Sequence, residues 1–212
     1  MSYKSTVAQA LLSINAVKYV GERPIQFKSG ILSPVYVDNR TIPYHPSAWK
    51  TIIDGFQSAI SEQNIPFDII AGVAVGGVPH SSALAYATGM PSVFVRTEAK
   101  QHGTSQLVEG GDVGGKHVLL IEDLITTGGS SLKGVDGLRN AGAQVDHLLA
   151  IVSYGFDVAN EAFKNHAITP HTLTTFETIL TLGVETGYFT SEQADTVRAW
   201  IASPYTWGTT NT

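Results

Sequence analysis

The stretch VLLIEDLITTGGSS at residues 118–131 constrains this chain more than any other. Val118, Leu119, Leu120 and Ile121 form a short apolar run of the kind required by a strand covered on both faces, and two acids follow at once. The pattern predicts a central strand whose apolar run stops at Ile121, with Glu122 and Asp123 at its carboxyl end, where open α/β sheets bind ligands. Residues 126–131 supply hydroxyls and two glycines that permit positive φ, and helical character begins at Leu132. A loop of this composition can curl its backbone N–H groups around a phosphate at a helix N-terminus.

Carboxylates accept from hydroxyls and amides donate to phosphate oxygens, so the two halves of the motif together suit vicinal hydroxyls with a terminal phosphate, as in a ribose 5-phosphate. A strand with a polar, glycine-capped exit accounts for either half alone; the joint pattern favours ligand binding. These residues resemble the phosphoribosyl-pyrophosphate motif of the type I phosphoribosyltransferases. The resemblance implies an α/β fold with a central, mainly parallel sheet flanked by helices and a small N-terminal hood. It also implies that Glu122, Asp123, Leu124, Ile125, Thr126, Thr127, Gly128, Gly129 and Ser130 bind the phosphoribosyl group.

A chain of 212 residues that is 43% hydrophobic can build one full α/β domain, and residues 1–212 are expected to form one. The absence of cysteine excludes disulfides and thiolate metal sites. A formal net charge of −5 lacks the positive field that nonspecific nucleic-acid binding uses. Residues 69–95 carry no Asp, Glu, Lys or Arg, but glycines, a proline, a histidine and serines divide them into strand, turn, helix and strand. The first twenty residues have no compact apolar region followed by a small-residue cleavage site. A soluble, cytoplasmic protein without nucleic-acid or membrane partners is expected.

Along the chain, Val7, Leu11, Ile14 and Val17 predict a helix over 6–20 ended by Gly21. Alternation about Ser29-Gly30 predicts a β-hairpin over 25–40. Trp49, Ile52, Ile53, Phe56 and Ile60 predict a helix capped by Ser47. A strand over 67–73, a glycine turn over 72–79, a helix over 78–88 and a strand over 91–95 follow. The basic and polar residues 96–112 read as an exposed loop. Strands over 145–154 and 171–176 flank a short helix over 157–166. Thr190 and Gln193 form a capping box that opens a helix with Ala194, Val197, Trp200 and Ile201 inward, before a loosely held tail over 203–212. The seven histidines show no ligand spacing, so no protein-made metal site is expected; His45, His80, His117, His147, His166 and His171 read as structural or surface residues.

Two further motifs narrow the resemblance. SGxxSPxYxDxR at 29–40, and RxEAKxHG at 96–103 followed by EGG at 109–111, are similar to the hood hairpin and catalytic loop of orotate phosphoribosyltransferases. That resemblance implies transfer of the 5-phosphoribosyl group from 5-phosphoribosyl 1-diphosphate to orotate, giving orotidine 5′-phosphate and pyrophosphate in pyrimidine biosynthesis. It implies that a hood over about 20–42 brings Lys28 to the base and pyrophosphate and Tyr36 to the flat base, with a segment over about 155–203 packed on the core. Arg96, Lys100 and His102 would contact the pyrophosphate, with Lys100, His102 and Asp123 the catalytic residues. Mg2+, held mainly by substrate and water, would be the cofactor. The 97–110 loop would act at the neighbouring subunit's site in a homodimer. The chain departs from family patterns in having no lysine in the turn near Gly76, where some members carry one, and Thr97 where many members carry a second lysine. No arginine follows Tyr154, which leaves Thr126 and backbone amides for the orotate carboxylate. A purine phosphoribosyltransferase, or a non-catalytic nucleotide-sensing regulator on the same fold, stays open as an alternative.

Overall fold

Five segments supply the parallel strands of the sheet in the computed structural model, which describes residues 3–98 and 107–209. The elements run α1 (Tyr3–Ser13), β1 (Val17–Tyr19), β2 (Ile25–Gln26), β3 (Leu32–Ser33), β4 (Val35–Val37), a 3-10 turn (Asn39–Tyr44) and α2 (Pro46–Gln63). Then come β5 (Ile69–Val73), α3 (Gly77–Thr88), β6 (Ser92–Val95), β7 (Val108–Glu109), β8 (Val118–Ile125) and α4 (Gly129–Asn140). The rest is β9 (His147–Ser153), α5 (Asp157–Asn165), β10 (Thr169–Thr175), α6 (Phe176–Glu185), α7 (Ser191–Ala202) and a final 3-10 turn (Trp207–Thr209).

Six strands form one sheet in the order β10-β9-β8-β5-β6-β7, parallel except for β7, which runs antiparallel to β6. Successive side chains of a strand point to opposite faces, so each apolar run feeds two cores. Ile70, Leu119, Ile121, Leu149 and Ile151 face the layer of α1, α2, α3, α6 and α7. Ile69, Ala71, Val73, Leu120, Leu148 and Ala150 face α4 and α5. Beyond the sheet, β2 pairs with β3 and β1 with β4.

The helix over 6–20 stops at Ser13, because Asn15 adopts a left-handed conformation with φ 55° and the Ala16 amide donates back to the Leu11 carbonyl at 3.0 Å. Val17–Tyr19 is then free to pair with Val35–Val37. The hairpin is confined to β2 and β3 around Gly30, at φ 87°, and the chain after Val37 coils into the 3-10 turn. Helix α2 starts at Pro46, whose missing N–H costs nothing at a first turn, so His45 and not Ser47 occupies the cap position. The loop over 96–112 contains β7.

Strand β8 does not stop at the acids. Leu124 and Ile125 continue its ladder opposite Val152 and Ser153 of β9, and the helix that follows begins three residues before Leu132. Helix α6 was not anticipated: Phe176, Ile179, Leu180 and Gly183 are its buried face, and the Thr175 hydroxyl caps it by accepting from the Thr178 amide. The capping box at Thr190 and Gln193 forms as expected.

Trp200 locks α7 to the N-terminal part of the chain. Its indole is fully buried against Tyr154, Phe156 and Phe27, and its Nε1 donates to the Leu32 carbonyl at 2.7 Å. Trp200→Ala should lower unfolding free energy by about 3–5 kcal/mol, and Trp200→Phe, which removes chiefly the hydrogen bond, by about 1 kcal/mol, as read from urea denaturation.

Candidate active site

Strand β5 has β6 on one side and β8 on the other, so the strand order reverses between β5 and β8. The helices that leave these two strands pack on opposite faces, α3 with one core and α4 with the other, and a crevice opens beyond the carboxyl ends. The two acids of β8 and the glycine turn after β5 meet there. A Cβ added to Gly76 would fall 2.5 Å from the Asp123 carboxyl carbon, and one added to Gly77 would collide with the Ile121 carbonyl oxygen, so neither position tolerates a side chain without movement. A side chain at Gly76 would therefore displace the Asp123 carboxylate from its present position.

The acids do not act as a matched pair, because neighbours on a strand point apart. Glu122 is 4% exposed and turned inward, with Oε1 accepting from the Asp123 amide and Oε2 from the Ser131 hydroxyl, each at 3.1 Å. Burial first, and the adjacent Asp123 carboxylate second, raise its pKa well above the ordinary range. Asp123 is the half-exposed acid, with its carboxylate against Gly76 and its carbonyl accepting from Asn39 Nδ2 at 2.7 Å.

Thr126 and Thr127, both half-buried, lead into Gly128, which takes φ 80° with the Phe163 ring packed against it. The left-handed turn throws the chain directly into α4, so the amides of Gly129, Ser130 and Ser131 face out of the helix end and can donate to an anion. Leu124 and Ile125 contribute differently. Ile125 is a core residue, 2% exposed, whose carbonyl accepts from the Tyr154 amide, and Leu124 packs on the opposite core.

Among the other sequence-derived candidates, Lys28 is exposed at the β2–β3 turn. The Tyr36 hydroxyl accepts from Arg40 Nη2 at 2.7 Å and lies 3.4 Å from Asp38 Oδ2. The hydrogen bond from Arg40 holds the Asp38 carboxyl below its usual range. Arg96, at the end of β6, pairs through Nε with Glu109 of β7. Lys100 and His102 lie outside the described residues.

Sequence reasoning passed over Asn39 and His80. His80 is fully buried on α3, edge-on to Trp49. Burial lowers its pKa to about 4, against the opposing pull of the Asp123 charge and the Asn39 main chain, so the ring is neutral at pH 7. An isolated histidine followed by serines carries no signal of this, since only the strand reversal brings α3 under β8.

Residues 44–165 match the phosphoribosyl transferase domain. The orotate phosphoribosyltransferase of Cytophaga hutchinsonii is 37% identical over 207 residues, covering 98% of this chain and 99% of that protein. The chain belongs to the orotate phosphoribosyltransferases. The member from Bacteroides thetaiotaomicron is 40% identical over 200 residues, covering 94% of each chain. The crystal structure of orotate phosphoribosyltransferase from Aeropyrum pernix superimposes with a TM-score of 0.74 at 30% identity, covering 86% of this chain and 99% of that one. The family fold, a mainly parallel sheet flanked by helices, is the one observed here.

A carboxyl with a raised folded-state pKa binds its proton more tightly folded than unfolded. The stability it lends is complete below the ordinary value of 4.5 and is lost as pH rises through the folded value. Glu122→Gln can keep both hydrogen bonds without a charge. Its free energy of unfolding should exceed the parent's at pH 7.5 by on the order of 1 kcal/mol, read as a higher melting temperature, and the gain should vanish below pH 4.5.

Proposed function

We infer that the chain transfers the 5-phosphoribosyl group from 5-phosphoribosyl 1-diphosphate to orotate, giving orotidine 5′-phosphate and pyrophosphate in pyrimidine biosynthesis. The observation that supports this most directly is the crevice where Asp123 stands beside the outward amides of the first turn of α4. Its parts match the donor: amides for the 5′-phosphate, a half-exposed carboxylate for the ribose hydroxyls. Membership of the orotate phosphoribosyltransferases supports the choice of base.

In this reading a ring nitrogen of orotate forms the bond to the anomeric carbon as the carbon–oxygen bond to pyrophosphate breaks, and the leaving oxygen takes the electron pair. Positive charge develops on the ribose, which the Asp123 carboxylate favours. Glu122 serves the same site from behind, fixing the Asp123 amide and Ser131 through its two oxygens. Thr126 and nearby amides hold the orotate carboxylate, and Tyr36 and Lys28 of the hood cover the base. Among the described residues no three His, Asp or Glu side chains gather to cage a metal ion. The hard carboxylate oxygens of Asp123 nevertheless suit a magnesium ion carried mainly by substrate oxygens and water. Mg2+ bound there would supply neutralisation of the pyrophosphate charge.

Arg96, Lys100 and His102 stabilise the departing pyrophosphate, and closure of the 97–110 loop over the neighbouring subunit's site makes the homodimer the working unit. We read residues 1–212 as one domain with the hood and the 155–203 segment as its attachments, working in the cytoplasm. No helix among the described residues is long and apolar enough to cross a membrane.

Purified protein incubated with the donor and Mg2+ should consume orotate, and not uracil, adenine or hypoxanthine. Turnover of a purine, or of no base, would overturn the reading. Lys100→Ala should reduce kcat by on the order of a hundredfold, or ~3 kcal/mol of transition-state stabilisation, and a parental rate would remove that loop from the mechanism.

A further inference from the structure

Beyond the crevice, the edge of the sheet carries a part-buried ion pair: Arg96, at the end of β6, donates through Nε to Oε1 of Glu109 on β7. Strand register fixes the face on which it lies. Phe94, Gly72 and Ile121 form one row across β6, β5 and β8, with Glu109 opposite Phe94 on β7. Side chains alternate along a strand, so Arg96 and Asp123, each two residues beyond that row, project to the same side as Glu109. The ion pair confirms this for Arg96, whose neighbour Val95 is buried in the opposite core with α4.

The turn after β5 runs between the two. Its Ala74 amide donates to the Val95 carbonyl at 2.9 Å, and its Gly76 lies against the Asp123 carboxylate. Arg96 and Asp123 thus flank one glycine turn, roughly 10 Å apart at the backbone, which is two strand spacings. The Arg96 amide donates to the Leu107 carbonyl at 2.9 Å, so its main chain is fixed as well. What freedom remains is in the long side chain, whose donors serve an anion only when the planar fork faces it. A carboxylate on Nε takes up that freedom and leaves the Nη1–Nη2 edge for a bidentate contact with phosphate oxygens.

We propose that Glu109 is a positioning residue: it holds Arg96 by Nε on the Asp123 face of the sheet, leaving the outer edge of the guanidinium to the pyrophosphate of the donor. A carboxylate this near an anion also repels it. Orientation and repulsion act with opposite signs on pyrophosphate affinity, so removing Glu109 shows which of them governs.

This proposal rests on the functional reading above, which gives Arg96 the pyrophosphate, and its test separates the two. Calorimetry on the full-length protein with Mg2+ measures affinity for 5-phosphoribosyl 1-diphosphate, for inorganic pyrophosphate and for orotidine 5′-phosphate, which has the 5′-phosphate but no pyrophosphate. Glu109→Ala should weaken the first two about fivefold to tenfold and leave the third within about twofold. Glu109→Gln, which keeps an acceptor for Nε, should recover most of that loss. In an Arg96→Ala background, itself weakened for both pyrophosphate ligands, Glu109→Ala should change little further. Unchanged or tighter pyrophosphate binding in Glu109→Ala overturns the proposal. So does an equal loss for all three ligands with a lower melting temperature, which marks a structural role, and so does an Arg96→Ala variant with parental affinities. A parent that binds the donor but leaves orotate untouched sinks the functional reading instead, while affinity for inorganic pyrophosphate still decides the role of Glu109.

Discussion

The side-by-side pairing of β5 with β8, with their helices departing to opposite faces, is the constraint on which the rest depends. It removes cover from one end of the sheet at the single place where the strand order reverses. Backbone amides and strand-end carboxylates thus become available to a ligand there. The apolar runs of β5, β8 and β9 are what make this tolerable. They are buried almost throughout, and they anchor a polar apex that would not hold itself together.

That apex is costly to fold. Glu122 is buried with a raised pKa and His80 is buried and neutral, and at neutral pH each is less comfortable folded than an apolar residue would be. The two titrate in opposite senses. Glu122 detracts from stability as pH rises through its folded value, whereas His80 detracts as pH falls below 6.5, where the unfolded chain takes up a proton that the folded one resists. Proteins retain such groups where geometry matters more than stability, and Glu122 is bonded directly to the Asp123 amide.

Much of this was legible in the chain, and the failures have physical causes. The run at 118–121 announced a central strand because burial on both faces demands unbroken apolarity, and TTGGSS announced a helix start because Gly128 must take positive φ. The acids were misread as the strand's end because polarity normally marks exposure. Here Glu122 is inside the strand, and a partner nine residues later, Ser131, makes its burial possible. Helix α6 was hidden because its threonines continue the composition of β10, although its apolar spacing was helical. Asn39 and His80 could not be found at all, since their meaning comes from a contact 84 residues distant and from which face of the sheet α3 covers.

Glycine governs the same apex from the other side. Gly77 brings the turn after β5 so close to the β8 backbone that no Cβ fits, and Gly76 lies against the Asp123 carboxylate. The most direct measurement is a crystal structure of the protein with 5-phosphoribosyl 1-diphosphate and Mg2+. The account predicts the 5′-phosphate on the amides of Gly129, Ser130 and Ser131, with the ribose hydroxyls facing Asp123. A donor bound elsewhere, such as the cavity of about 570 Å3 lined by Tyr154, Glu177 and Arg198, would contradict it.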